Sequence, residues 1–266
     1  MKHDIDIPAV RVALSGLLIV LAVILSRVQR LSLEKELVIG AVRAAVQLIA
    51  VGFALTLLLG TTHPVWILAT MAVMLTVGSW TAASRIHRGP GVMALMPATA
   101  VAIFVGLVVS LVPVLLWVLP VRPFFRARFA VPLAGILMAV GMNSASLVLE
   151  RLFSSVRQER ATVEQALALG ASPSQAVAGQ RRRAVRAAMI PRMNTLLTLG
   201  LVQLPGLMTG QILSGTPPVQ AVKYQLVLMY QLIAMATISA TLAASFGVRV
   251  MFESGERLKQ WDKHLK

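Results

Sequence analysis

The sequence contains no cysteine, only 5% aromatic residues, and only 13% charged residues among its 266. Without thiols it has no disulfide framework, thiolate metal site or cysteine nucleophile. A soluble chain carries about 25% charged residues, so roughly half the usual charge is missing and a membrane chain is indicated. The basic clusters lack interleaved aromatics, which argues against nucleic acid as a partner. No Gly-x-x-x-x-Gly-Lys-Ser/Thr loop is present, so the chain does not cradle nucleotide phosphates by itself. No Asp or Glu falls inside the long apolar segments, which disfavours ion-coupled carriage. His3, His63, His87 and His264 are scattered, without the helical spacing of a ligand set, and read as surface or interface histidines.

What is there is apolar: 57% of the residues are hydrophobic, and the mean hydropathy is +0.79. A spanning helix needs about 20 predominantly apolar residues. Charge-free windows then predict an all-α, polytopic integral membrane protein, one permease-sized domain over 1–266 with about seven transmembrane helices. The expected spans are about 9–26, 37–59, 65–84, 92–119, 129–149, 193–214 and 222–246, with a turn at Gly60-Thr61-Thr62-His63-Pro64. The first needs Arg11 to snorkel. Asp4 and Asp6 before it and Arg27 after it fit a retained helix better than a cleaved signal peptide.

Alternating these spans puts 18 Lys/Arg in the loops on one side and 5 on the other. The positive-inside rule makes the basic side cytoplasmic, with the C-terminal tail 247–266 inside and the N-terminus outside. The expected location is a plasma membrane of the bacterial inner-membrane type.

The basic side includes 150–192, longer than connection alone demands. Residues 159–169 read as a helix with Val163, Ala166, Leu167 and Leu169 apolar, and Gly170 is placed to end it. Ser172-Pro173 reads as an N-cap followed by proline at the first helical position, opening a second helix through about Arg186. Two readings stand for this helix-turn-helix: an amphipathic element whose arginines meet anionic lipid headgroups, or a docking elbow that carries force from a soluble partner.

Within the spans, Asn143 and Ser146 share a helix face three residues apart, either to contact a substrate or to hydrogen-bond a neighbouring helix. Pro205-Gly206 can break the sixth span between Gln203 and Gln211 and free carbonyls toward a cavity. Gly206-x-x-x-Gly210 is equally a pattern for close helix packing. Arg43, with Gln47 one turn deeper, either snorkels to the interface or lines an anionic pathway. Met138 with Met142, and Met93 with Met96, are spaced so that thioethers can touch a soft metal, or simply pack. No bound metal is expected.

A family resemblance enters on the loop. Glu164-Gln165-Ala166-Leu167-Ala168-Leu169-Gly170-Ala171-Ser172-Pro173 resembles the Glu-Ala-Ala-x-x-x-Gly loop of ABC-transporter permeases, with Gln165 departing at the second position. Arg43-Ala44-Ala45-Val46-Gln47-Leu48, Gly141-Met142-Asn143-Ser144-Ala145-Ser146 and Gln203-Leu204-Pro205-Gly206-Leu207-Met208-Thr209-Gly210-Gln211 extend the likeness. From about Leu37 to Phe246 the chain resembles the permease subunit of bacterial iron-export ABC transporters and its plant aluminium-tolerance relatives. That resemblance implies a non-enzymatic, homodimerising permease in lipid, with no cofactor of its own, driven by a separate cytoplasmic ATPase that binds ATP and Mg. It implies export in iron or metal homeostasis, with sugar nucleotides linked to the plant relatives. Glu164, Ala166, Gly170, Ser172, Pro173, Arg181, Arg182 and Arg183 are the expected coupling residues. Arg43, Gln47, Asn143, Ser146, Gln203, Pro205 and Gln211 are the candidate path. The alternative of another class is an ATP-independent channel or facilitator, and export of an organic anion or sugar nucleotide also stays open.

Overall fold

The computed structural model describes residues 8–59, 63–86, 89–118, 127–253 and 257–259. The expected turn residues 60–62, His3, His87 and His264 lie outside them, as does much of the C-terminal tail. The chain divides into two units, residues 1–62 and 63–266.

The first unit contains α1 (Ala9–Ser15), α2 (Leu17–Val28) and α3 (Glu34–Leu59). The expected first span is therefore two helices meeting at Gly16, neither of them spanning length alone. The turn from α2 to α3 is organised by buried Ser26. Its hydroxyl donates to Glu34 Oε1 at 3.0 Å and accepts from the Leu33 N–H at 3.1 Å, which lets Arg30 and Ser32 hold positive φ of 54° and 58°. The α3 helix is apolar over a 23-residue stretch, long enough to cross a bilayer.

The second unit runs through α4 (Pro64–Ser84), α5 (Val92–Pro113), a π-helical turn (Val114–Val118), α6 (Ala127–Gln158), α7 (Arg160–Ala168), α8 (Pro173–Ala176), α9 (Ala178–Thr198), α10 (Gly206–Leu213) and α11 (Pro218–Met251). Among the described residues of the whole chain, five helices are long and apolar enough to cross a membrane: α3, α4, α5 with its π turn, α6 and α11. At 1.5 Å per residue the 34 residues of α11 extend about 51 Å, well past a hydrocarbon core of about 30 Å.

The inner packing is between α11 and the pair α5 and α6, with α4 laid on α5 and α6. Backbone approach is close because glycine sits at the crossings. A side chain at Gly106 would meet Ser239 Oγ at 2.6 Å, and one at Gly141 would run into the Met235 methyl. In α5, Pro97 and Pro113 each remove a backbone donor. The helix changes pitch right after Pro113, and the buried Gln231 amide of α11 donates to the Ser110 carbonyl at 3.1 Å, supplying a partner there.

The expected sixth span, 193–214, differs most from a continuous helix. The α9 helix stops at Thr198, the chain runs irregularly to Pro205, and α10 resumes at Gly206. Gly200 takes φ +80°, and the Thr198 carbonyl accepts from the N–H groups of Leu201, Val202 and Gln203 at 3.3, 3.0 and 3.3 Å. The break thus begins seven residues before the proline that signalled it in the sequence.

Candidate functional site

Most of the basic segment 150–192 is helix. The α6 helix leaves the apolar region without interruption and continues to Gln158, and α9 begins at Ala178 and runs back through Pro191. Between them stand α7 and α8; the second helix expected through about Arg186 instead stops at Ala176, and after Val177 the α9 helix carries residues 178–186 onward to Thr198.

Its ends follow local chemistry. Gly170 has φ +88°, a backbone that side-chain-bearing residues rarely adopt. The Ala171 N–H reaches the Ala166 carbonyl at 3.0 Å and the Gly170 N–H reaches Leu167 at 3.0 Å. Those two bonds make a Schellman ending that satisfies orphan carbonyls of α7. Ser172 is extended at ψ 156°, with Pro173 at the first helical position, and its backbone N–H donates to Gln175 Oε1 at 2.9 Å. This is one arm of a capping box.

Val163 and Val177 are completely buried, Leu167 and Ala176 pack against them, and the cluster continues through Phe153 and Val156 of α6 into Val248 and Met251 of α11. Glu159, between α6 and α7, ties the elbow to α9: its carboxylate accepts from Gln180 Nε2 at 2.8 Å and from Arg183 Nη2 at 2.5 Å. The elbow is thereby fixed to both helices that carry it.

The expected coupling residues divide within this frame. Glu164 is exposed and paired with Arg160 at 2.7 Å. Ala166, Ser172 and Pro173 are half-buried, Gly170 is exposed, and Arg181 is half-buried beside exposed Arg182. Arg183 is engaged by Glu159, so its first role is to hold the elbow together. Leu169 corrects the sequence reading of an apolar face shared with Val163: it lies past the last turn of α7 and is 89% exposed at the tip. The periodicity that places Val163 and Leu167 inside no longer applies once the helix has ended.

The candidate path residues are divided between the two units. Arg43 and Gln47 are exposed on α3, in the first unit. In the second unit Asn143 is exposed and its Oδ1 accepts from Arg85 Nη1 at 3.0 Å, whereas Ser146 is buried. Met138 is buried in the α5–α6–α11 core with Met142 packed against it, while Met93 is exposed and Met96 packs inward. Gln203 is exposed within the helix break and Pro205 caps α10.

Gln211 lies farther along α10 and lines a cavity of about 510 Å³ together with Gln220, Tyr224 and Gln231 of α11. Sequence reasoning missed these three and Arg85. The α11 residues had a signal, since 220, 224 and 231 fall on one face of an otherwise apolar helix. Arg85 had none, because its contact lies 58 residues away. No group of three or more His, Cys, Asp and Glu side chains that could hold a metal occurs among the described residues.

Residues 9–252 match the profile of the uncharacterised protein family UPF0014. The chain belongs to that family. Three similar relatives cover nearly its full length. The Escherichia coli protein named "Probable iron export permease protein FetB" is 30% identical over 246 residues, 92% of this chain and 93% of that one. The Arabidopsis thaliana protein ALUMINUM SENSITIVE 3 is 32% identical over 236 residues, 87% of this chain and 82% of that one. The Bacillus subtilis UPF0014 membrane protein YjkA is 32% identical over 248 residues, 93% of this chain and 97% of that one. No solved structure matches the chain. The bacterial and plant relatives are those the loop and its flanking motifs pointed to.

Proposed function

We propose that the chain is the permease subunit of an ATP-driven exporter, and that a separate cytoplasmic ABC-type ATPase docks on the elbow at 159–186. The observation that carries this reading is Leu169. The two large apolar side chains of α7, Val163 and Leu167, are turned inward, while Leu169, past its end, stands 89% exposed beside Gly170 at the tip of a polar, basic segment. Exposed leucines on the spans have lipid to cover them; Leu169, at the end of an elbow carried clear of the apolar region, is free to enter a groove on a docking protein. The printed name of the Escherichia coli relative supports the permease role.

In this reading the permease sits in a bacterial cytoplasmic membrane with its basic loops and C-terminus inside, and acts as a homodimer with two ATPase copies. ATP and Mg belong to the partner. Because α6 runs from its span to the elbow without a break and α9 leaves the elbow as one helix as far as Thr198, closure of the ATPase pair moves the elbow and both helices together. The helix break at 199–205 is where α9 can move without dragging α10. Metal export is the proposed physiological role. With no cluster of hard ligands among the described residues, the cargo fits a complexed form better than a bare cation.

Co-purification from the native membrane in mild detergent tests the proposal. The wild-type chain should retain a stoichiometric protein with a Walker motif, and Leu169→Glu should lose it while inserting normally. Retention by both, or by neither, contradicts the docking role.

A further inference from the structure

Arg85 stands at the C-terminal end of α4, and its guanidinium turns toward α6, where Nη1 donates to Asn143 Oδ1 at 3.0 Å. Both side chains are exposed. The register of the two helices shows how the arginine gets there. A side chain at Gly135 of α6 would lie 3.3 Å from the Met74 methyl of α4. Arg85 is eleven residues beyond Met74 and Asn143 is eight beyond Gly135, so α4 and α6 run in the same direction. At 1.5 Å per residue the arginine starts about 4.5 Å farther along than the asparagine it reaches. Its side chain therefore points back along the apolar helices, opposite to the direction in which a snorkelling arginine seeks water.

The pair is a face of donors. A guanidinium has no acceptor, so its contact fixes Asn143 with Oδ1 toward the arginine and leaves the Nδ2 hydrogens to present, beside the remaining N–H groups of Arg85 and its full positive charge. The sequence has no Asp or Glu between Glu36 and Glu150, so neither α4, α5 nor the loop after Arg85 supplies a counter-charge. Glu150 lies on the Asn143 face of α6, two turns farther on, and does not pair with it: the ion pairs among the described residues are Arg160 with Glu164 and Arg183 with Glu159. A planar guanidinium fork with an amide donor alongside matches the paired oxygens of a phosphate or carboxylate.

We propose that Arg85 and Asn143 form a binding site for an oxyanion, a phosphate or carboxylate group held by the guanidinium fork and the Asn143 amide N–H. The inference does not depend on an ATPase docking at the elbow. The same chemistry is offered by the headgroup of an acidic membrane lipid and by a soluble anionic cargo.

The test uses the full chain in dodecyl maltoside, a detergent without charge or phosphate, with thermal unfolding followed as sodium phosphate or sodium citrate replaces chloride at constant ionic strength. Saturable stabilisation by these anions, or an acidic lipid that mass spectrometry finds bound after purification, is the expected result. Arg85→Gln should weaken either about tenfold, the loss of a charge-assisted hydrogen bond, and Arg85→Lys by less, since the charge stays and the fork goes. Asn143→Asp is the sharper variant: its carboxylate fills the site from within, so the ligand-free midpoint should hold or rise while the anion effect disappears. Arg249→Gln, which removes an exposed arginine of α11, should respond as wild type does. Lipid retained by wild type and lost in Arg85→Gln assigns the site to a headgroup, and a response to soluble anions without retained lipid assigns it to cargo. Stabilisation that Arg85→Gln and Asn143→Asp both keep is the general effect of these salts and overturns the proposal, as does the lack of both a saturable response and an Arg85-dependent lipid.

Discussion

Glu159 and Gln180, 21 residues apart, are joined by a 2.8 Å hydrogen bond from the amide Nε2 to carboxylate Oε2. The bond closes the elbow against α9 and leaves the second carboxylate oxygen for Arg183. Gln180 is buried, so the contact is shielded in a way an exposed ion pair is not.

Glu159→Ala should therefore loosen the elbow without disturbing the spans. It strands a buried amide, at a cost of about 1–3 kcal/mol. Hydrogen exchange of α7 and α8 should accelerate while α5 and α11 keep their protection. Unchanged exchange in the elbow would show that the hydrophobic contacts of Val163 and Val177 suffice.

Glu164→Gln offers the contrast. Its pairing with Arg160 is exposed and one helical turn apart, a geometry that contributes about 0.2–0.5 kcal/mol. Thermal stability should be indistinguishable from wild type, while affinity for the ATPase falls. A stability loss as large as that of Glu159→Ala would move Glu164 from docking to structure.

Gly170→Ala should strain the turn, since φ is +88° and a side chain in left-handed backbone costs about 1–2 kcal/mol. Nothing lies within 4 Å of the added methyl, so the effect is conformational and Gly170→Asn should be milder. The order Gly, Asn, Ala in ATPase coupling is the expected outcome; equal coupling in all three would remove the turn from the account.

Gly141→Ala should destabilise the bundle, because the new methyl meets the Met235 side chain and lies 3.0 Å from Ser239 Oγ. Overpacking of this kind costs about 1–3 kcal/mol. Met235→Ala in the same chain should recover part of the lost thermal stability in detergent. Additive losses would contradict the close crossing of α6 and α11.

The elbow was legible in the sequence because its signals are local: Gly170 ends one helix and Ser172-Pro173 starts the next within three residues. The long spans were legible from composition. The start of the helix break was not, since Thr198 ends α9 through carbonyl contacts that the proline seven residues later does not encode. Arg183 read as a free docking cation because its partner Glu159 is 24 residues away. The cavity depends on how α6, α10 and α11 meet, and only the α11 face left a trace in the residue pattern.

The absence of native cysteine makes the decisive measurement clean. A single cysteine placed at Leu169 and treated in native membranes with a short bifunctional cross-linker should capture a Walker-motif ATPase. One placed at Leu213, 81% exposed after the helix break and on the opposite side in the proposed topology, should not. Capture at neither position, or equally at both, would contradict an ATPase seated on the elbow.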